Sequence, residues 1–478
     1  MQYLGIDSDV LSYYQPFCPG VPGQIPIICC IIASTLSHFT YTLNIESQYY
    51  HNICSSTTPE AIQNSIVDGP PFCDGTVDGT DLFLYYGKGD NTRRIDFDNH
   101  TEAQIKELAN ACDAATFGVN QQNVLDESYR KAGKMDSNNF SINFNPYNSG
   151  IIDIARTSLN INRDVYAELN KLNVYGPGSF FKAHQDTPRG ERMFGSLVII
   201  LPTIYEGGSL VLRDKGKEWT VDPFLRVEHE TNVADNDLAV GNTSRLGYVA
   251  FYGDVEHEVL EVTSGYCITI TYNLYLTTSQ TASRSSIFST SALKTSLQEL
   301  LNDPSFLPNG GHIGFSLSRE YPVNLKTALS SILENLKGND DAIVKACRDL
   351  SLEVLAWVLY EDKSLTEDNM VLLDHILDLM KDEDMEPVQD HIGIIDHLEE
   401  TYGAFPIVLV EPTYRMSRDE EERGWDWDYM KIFRMMDMLD NTAYKQAFQA
   451  YGNEPTIDFI YATVCLVVDI VPVDSRRV

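Results

Sequence analysis

A chain of 478 residues is too long for one ordinary domain and long enough for two or three. Hydrophobic residues make up 43% and aromatics 10%, which excludes a largely disordered chain. Lys and Arg number 35 against 69 Asp and Glu, a net charge of −34; a field of that sign repels phosphate backbones and anionic lipid, so no nucleic-acid and no membrane partner is expected.

The nine cysteines include no Cys-x-x-Cys pair, and only Cys29 and Cys30 adjoin. Such a set does not read as a disulfide framework and predicts a reduced, intracellular setting, in the simplest case the cytoplasm. The apolar run Ile25–Leu36 contains Pro26 and is too short to span a bilayer. No Lys or Arg precedes Lys88, so a secretory signal with a basic start is not expected either.

The first ninety residues read as an irregular region of turns and short strands, with one strand predicted at Asp81–Tyr86. In Glu102–Ala115, Ile105, Leu108, Ala109 and Cys112 recur at helical spacing. Asn123–Asp136 reads as helix or helical turn ending near Gly133, and Asp164–Lys171 as a third short helix. From Leu172 to Leu276 strand patterns follow one another: LNVYG, SFFKAH, SLVIILP, GSLVLRD, KEWTVDP, GYVAFYG, HEVLEV and YCITITYNLYL. Many short strands without long helices between them predict an antiparallel sandwich or jelly roll. Thr277–Ala292 is rich in Ser and Thr and reads as a linker. Beyond it, Leu293–Leu301, Leu325–Leu336, Asp341–Tyr360 and Asn369–Lys381 show helical periods, with an acidic turn at Asp382–Glu386. Phe405–Val410 and Tyr461–Val471 read as strands. The predicted organisation is thus 1–90 irregular, 91–276 strand-rich with preceding helices, 277–292 linker, and 293–478 mixed and mainly helical.

The residues that carry chemistry are His184, Asp186 and His257. Residues i and i+2 of a strand share a face, so His184-Gln185-Asp186 projects an imidazole and a carboxylate side by side. A histidine from another strand, His257, completes two nitrogens and one oxygen on one side of a metal. That facial set leaves coordination positions open, as a non-haem Fe(II) centre requires.

Three features stand together around the triad: Tyr175–Arg189 (YGPGSFFKAHQDTPR) with Tyr175 nine residues before His184, Glu206–Leu210 (EGGSL), and His257 ahead of a final strand pair. In this combination Leu172–Leu276 resembles the prolyl 4-hydroxylase-like branch of the Fe(II)/2-oxoglutarate dioxygenases. The resemblance implies an α+β chain built on a double-stranded β-helix (jelly roll) with flanking helices. It implies Fe(II) and 2-oxoglutarate as cofactors, a keto acid bound to the metal, and hydroxylation of a substrate C–H with O₂. Tyr175 and Thr269 would contact the far carboxylate of 2-oxoglutarate. The name prolyl marks kinship only; a small molecule and a protein both stay open as substrate.

The sequence departs from the family at one position. The basic residue expected ten places after the distal histidine is Cys267, in Ser264–Thr271 (SGYCITIT). A buried carboxylate deprived of its cation costs about 3–5 kcal/mol, or roughly two to four decades in affinity. Three readings follow: another cation replaces the missing one, with Arg213 first and Arg245 and Lys182 behind it; the pocket takes a different keto acid or none; or the chain is a catalytically lapsed jelly-roll binding protein that keeps metal. Strand parity puts Cys267, Thr269 and Thr271 on one face, which the resemblance places inside, and Glu256 and Glu258 on the face opposite His257. Arg189 and Arg192 fall near the pocket mouth or in a solvated loop. One of Asp254, Glu256 and Glu258 is a candidate acceptor for a ligand imidazole. His312, His391 and His397 are isolated, and Trp425 and Trp427 read as half-buried packing.

Overall fold

Short amphipathic segments separated by Gly and Pro pair here into sheets. The computed structural model describes residues 59–66, 69–88, 91–119, 122–222, 245–278, 289–361, 370–377, 394–410, 430–436, 444–451 and 455–476. The Cys29-Cys30 pair, the acidic turn 382–386, His391, Trp425, Trp427 and most of the Ser/Thr-rich linker lie outside them.

Twelve strands build the part that holds the site: β1 (Phe72–Asp78), β2 (Asp113–Ala114), β3 (Arg130–Lys131), β4 (Gly133–Asp136), β5 (Val165–Tyr175), β6 (Phe180–His184), β7 (Met193–Ile200), β8 (Leu210–Asp214), β9 (Lys217–Val221), β10 (Arg245–Tyr252), β11 (Glu256–Val259) and β12 (Cys267–Leu276). Seven of them form a sheet in the order β1-β10-β7-β12-β5-β4-β2, and five form a second sheet, β9-β8-β11-β6-β3. All these pairings are antiparallel. Alternate residues of both sheets line a shared cavity: Asn173 and Tyr175 of β5, Cys267, Thr269 and Thr271 of β12, His257 and Val259 of β11. The residues between them, such as Leu172, Val174, Ile268 and Ile270, are buried on the other face.

Two expectations for this part need correction. Asp164–Lys171 is not a helix but the first half of β5, where buried Val165 and Ala167 alternate with exposed Tyr166 and Glu168. A bulge between Leu169 and Lys171 shifts the phase, and the broken alternation imitates a helical spacing. Asn123–Asp136 contains strands at Gln122–Val124, β3 and β4. Gly133 sits inside β4 rather than ending a helix, and a Cβ there would come within 2.9 Å of Cys112 Cβ. Of the N-terminal ninety residues, the described ones reach into the rest of the chain. β1 pairs with β10 along its whole length, and Ile62 of helix α1 (Pro59–Ser65) sits in the C-terminal core.

Helix α2 (Glu102–Ala111) forms where expected. Thr101 and Gln104 close a capping box, and Ile105 and Leu108 are buried. Helix α3 (Ile151–Ser158), not anticipated from the sequence, buries Ile151, Ile152 and Ala155.

The C-terminal region is built on a sheet, which corrects the mainly helical expectation. Its strands are β13 (Gly311–Ser316), β14 (Val354–Glu361), β15 (Met370–Leu373), β16 (Phe405–Val410), β17 (Met430–Arg434), β18 (Tyr444–Tyr451) and β19 (Pro455–Ile470), in the order β13-β17-β16-β15-β14-β19-β18, with β13 also pairing to β19. Four helices accompany them: α4 (Ser289–Asn302), α5 (Leu329–Glu334), α6 (Gly338–Asp349) and α7 (Ile394–Tyr402). The apolar runs of β14 and β15 are continuous because each face is covered, and such runs fit a helical period as well as a strand. No helix among the described residues is long and apolar enough to cross a membrane.

Candidate metal centre

β6 and β11 run antiparallel, and His184 stands directly opposite His257 in their ladder. The rings lie 4.1 Å apart between centroids. Beyond His184 the chain leaves the sheet, and Asp186 turns toward the same point, its Oδ1 3.9 Å from His257 Nε2. One ligand atom from each of the three residues lies within 4.8 Å of the others.

Each of the three is held by a bond that leaves its ligating atom free. His184 Nδ1 faces Lys182 O at 2.8 Å, and His257 Nδ1 faces Val255 O at 3.0 Å. A carbonyl only accepts, so both imidazoles carry the proton on Nδ1 and present a bare Nε2. Ser196 Oγ donates to Asp186 Oδ2 at 2.5 Å, which leaves Oδ1. Phe181 stacks on His184 at 3.5 Å, and Phe251 lies 4.8 Å from His257. Burial first, and then the neighbouring His257, push the His184 imidazole down to about 3, so it is neutral at pH 7, the form that binds metal. Neighbouring ligands on one face of an ion, each at about 2.2 Å, are about 3 Å apart, so the side chains must draw in from separations such as the 3.9 Å between Asp186 Oδ1 and His257 Nε2 to complete the set. The donors fit a divalent iron held by two nitrogens and one oxygen.

Beside the triad lies an inner cavity of about 110 Å³, and an outer one of about 840 Å³ adjoins His184 and Asp186 from the other side. Tyr175 and Thr269 both line the inner cavity and are 4% and 8% exposed. Burial raises the Tyr175 phenol above its ordinary range, so it stays a protonated donor.

Arg213 does not join them, contrary to expectation. In the β8–β11 ladder Leu212 is the residue opposite His257, and Arg213 falls opposite Glu256, on the outer face. There it pairs with Glu218, Glu256 and Glu258 at 2.7, 3.4 and 3.0 Å, with its side chain 33% exposed. The parity that places Glu256 and Glu258 outside also excludes Arg213. The alternatives fare no better: Arg245 reaches Thr76 at the surface, and Lys182 is exposed.

Cys267 is buried, which pushes its thiol up to about 12; a bond with the Tyr205 side chain opposes the rise and Asp222 adds to it. The family's cation position therefore carries a neutral thiol with a carboxylate nearby.

The sequence reading missed Arg130. It reaches from β3 into the space between the sheets and is 5% exposed. Its Nη1 donates to Thr116 O at 2.7 Å and its Nη2 to Asn173 Oδ1 at 2.9 Å, while the guanidinium lies 4.2 Å over the Phe181 ring. Lys171, on the same cavity, was missed as well; burial first, then Arg130 and Arg189, push its amine down to about 8. Both belong to segments read as helices, where strand parity could not be applied. Arg189 lines the outer cavity. Asp254 is no acceptor for a ligand imidazole: it is buried against Arg319 and Lys337 at 3.5 and 3.2 Å. His312 pairs with Asp469 near the surface.

Residues 170–275 match the model of the 2OG-Fe(II) oxygenase superfamily, less than a quarter of the chain. Similar solved structures include a Pseudomonas putida prolyl-4-hydroxylase, with 15% identity over 45% of this chain and 98% of that one, TM-score 0.23. A Trichoplax adhaerens prolyl hydroxylase in complex with a hypoxia inducible factor peptide fragment gives 16%, 45%, 90% and 0.27. The viral collagen prolyl hydroxylase of Paramecium Bursaria Chlorella virus-1 gives 12%, 44%, 98% and 0.23. No curated protein matches the chain. The segment that carries the motifs thus resembles the 2OG-Fe(II) oxygenase superfamily.

Proposed function

We propose that the two facing sheets are a double-stranded β-helix and that this chain is an Fe(II)/2-oxoglutarate-dependent dioxygenase, hydroxylating a C–H of a molecule that enters the outer cavity. The observation that carries this reading is the convergence of His184 Nε2, Asp186 Oδ1 and His257 Nε2 on the wall of the inner cavity, with the other polar atom of each side chain already bonded. Iron and 2-oxoglutarate, when bound, supply the activation of O₂ toward a C–H bond.

The chain's own residues have four tasks. His184, Asp186 and His257 would hold the metal. Lys182 O, Val255 O and Ser196 Oγ keep the ligands in register, which limits their motion as the metal enters. Phe181 and Phe251 wall the histidines from water. Tyr175 and Thr269 would offer their hydroxyls to the keto acid from the wall of the same cavity.

One observation favours a second reading. The neutral Cys267 beside Asp222 is a poor seat for a carboxylate, and a metal-keeping binding protein would show the same triad. Release of labelled CO₂ from 2-oxoglutarate labelled at its first carbon separates the two. Under air, with Fe(II) and stoichiometric protein, an oxygenase releases CO₂ above the level of a His184→Ala variant. Iron and 2-oxoglutarate bound without release would establish the binding protein instead.

A further inference from the structure

We infer that Arg130 is the cation that holds the far carboxylate of the keto acid, a role moved from the last strand of the larger sheet to an edge strand of the smaller one. This rests on the oxygenase reading above.

A guanidinium 5% exposed is ordinarily paired with an acid, because a lone buried charge is costly. Arg130 has no such partner among the described residues. Two of its nitrogens donate to neutral oxygens, of Thr116 and Asn173, and its Nε has no hydrogen-bond partner. Nε and the second proton on Nη2 lie side by side, and such a pair of donors matches the two oxygens of a carboxylate.

Its place in the fold fits the same role. The guanidinium is close enough to the Tyr175 phenol to counter the effect of burial on it. Asn173, which accepts from Arg130, lies 3.4 Å through Nδ2 from Thr269 Oγ1. Arg130, Tyr175 and Thr269 therefore form one polar cluster on the cavity that His184, Asp186 and His257 also line. The stack Arg130–Phe181–His184 links this cluster to the triad. Lys171 is the other cation on this cavity. Both it and Arg130 also line the outer one, and the Lys171 amine lacks the paired, planar donors that a guanidinium offers a carboxylate.

The test is the affinity of the anaerobic, Fe(II)-loaded full chain for 2-oxoglutarate and for 2-oxobutyrate, which lacks the far carboxylate, read from the metal-to-ligand charge-transfer band. The wild type should prefer 2-oxoglutarate by about 100-fold or more, as loss of a buried charge pair implies. Arg130→Gln should abolish that preference and leave iron affinity within about threefold of the wild type. Arg130→Lys keeps the charge without the fork and covers the case in which the glutamine variant does not fold; it should lose about tenfold or more of the preference. Equal preference in wild type and variants would overturn the assignment and leave the oxygenase reading standing, with the anchor elsewhere. A wild type that binds iron and neither keto acid would overturn both.

Discussion

Each ligand imidazole of the centre spends its Nδ1 proton on the carbonyl two residues earlier in its own chain, so strand geometry alone selects the tautomer. Asp186 has no such help and depends on Ser196. Ser196→Ala should therefore weaken metal binding by about 10–100-fold while the fold persists, measured by competition with a chelator. An unchanged affinity would show that Asp186 is oriented by something else. His184→Ala should remove the metal altogether with little change in the unfolding midpoint, because the strands around it are stabilised by the apolar core. At this scale the triad was legible from the close spacing of His184 and Asp186 and the motifs around them, although Asp186 lies past the end of β6 and is turned in by the loop rather than by strand parity. Strand parity applied to Arg213 would have excluded it, since Glu256 opposite it was already placed outside. Arg130 was not legible: its cavity, its orphan Nε and its neighbour Asn173 are all brought together by distant pairing.

Among elements, the strands from Leu172 to Leu276 were readable from turn residues and alternation, whereas β5 was split by its bulge and β14 and β15 were concealed by their continuous apolar runs. The Gly207-Gly208 turn that leads into β8 gives a local test. Gly207 has φ +75°, and a Cβ there would come within 2.3 Å of Glu261 O, a backbone atom. Gly216, in the β8–β9 turn, has φ +74° with nothing within 4 Å. Gly216→Ala should cost about 1–2 kcal/mol for the left-handed conformation alone. Gly207→Ala should cost clearly more, because the backbone must also shift. Urea unfolding of the two variants measures the difference, and equal midpoints would mean that the turn yields freely.

Across the whole molecule the surplus of acid does not extend to the join between the site-bearing sheets and the C-terminal region. There Arg319 and Lys337, 7% and 5% exposed, enclose Asp254, and Arg319 also takes Asp214 at 2.8 Å. Asp254→Asn leaves two buried cations short of a partner and should destabilise the fold by about 3–5 kcal/mol in calorimetric or urea unfolding. A loss below about 1 kcal/mol would mean that Asp214 suffices. Burial raises the Asp254 carboxyl, but Lys337 and Arg319 outweigh it and leave the group below its ordinary range. A carboxyl lowered by folding contributes stability that is complete above its unfolded value of about 4 and is lost as the pH falls through the lower folded value. The wild type should therefore lose stability over that acid range, and Asp254→Asn should lose less of it. This join was illegible in the sequence: Asp254 lies three residues before the distal histidine and reads as one of three candidate acceptors for it, and only the fold brings Arg319 and Lys337 to it.

The most direct test of the central claim is anaerobic titration of the full chain with Fe(II) and then 2-oxoglutarate, followed by charge-transfer absorption. Three protein ligands with an open metal face beside a keto-acid cavity predict a band that saturates near one equivalent per chain and is absent from His184→Ala, Asp186→Ala and His257→Ala. A wild type that takes up iron without developing the band, or variants that develop it undiminished, would contradict the account.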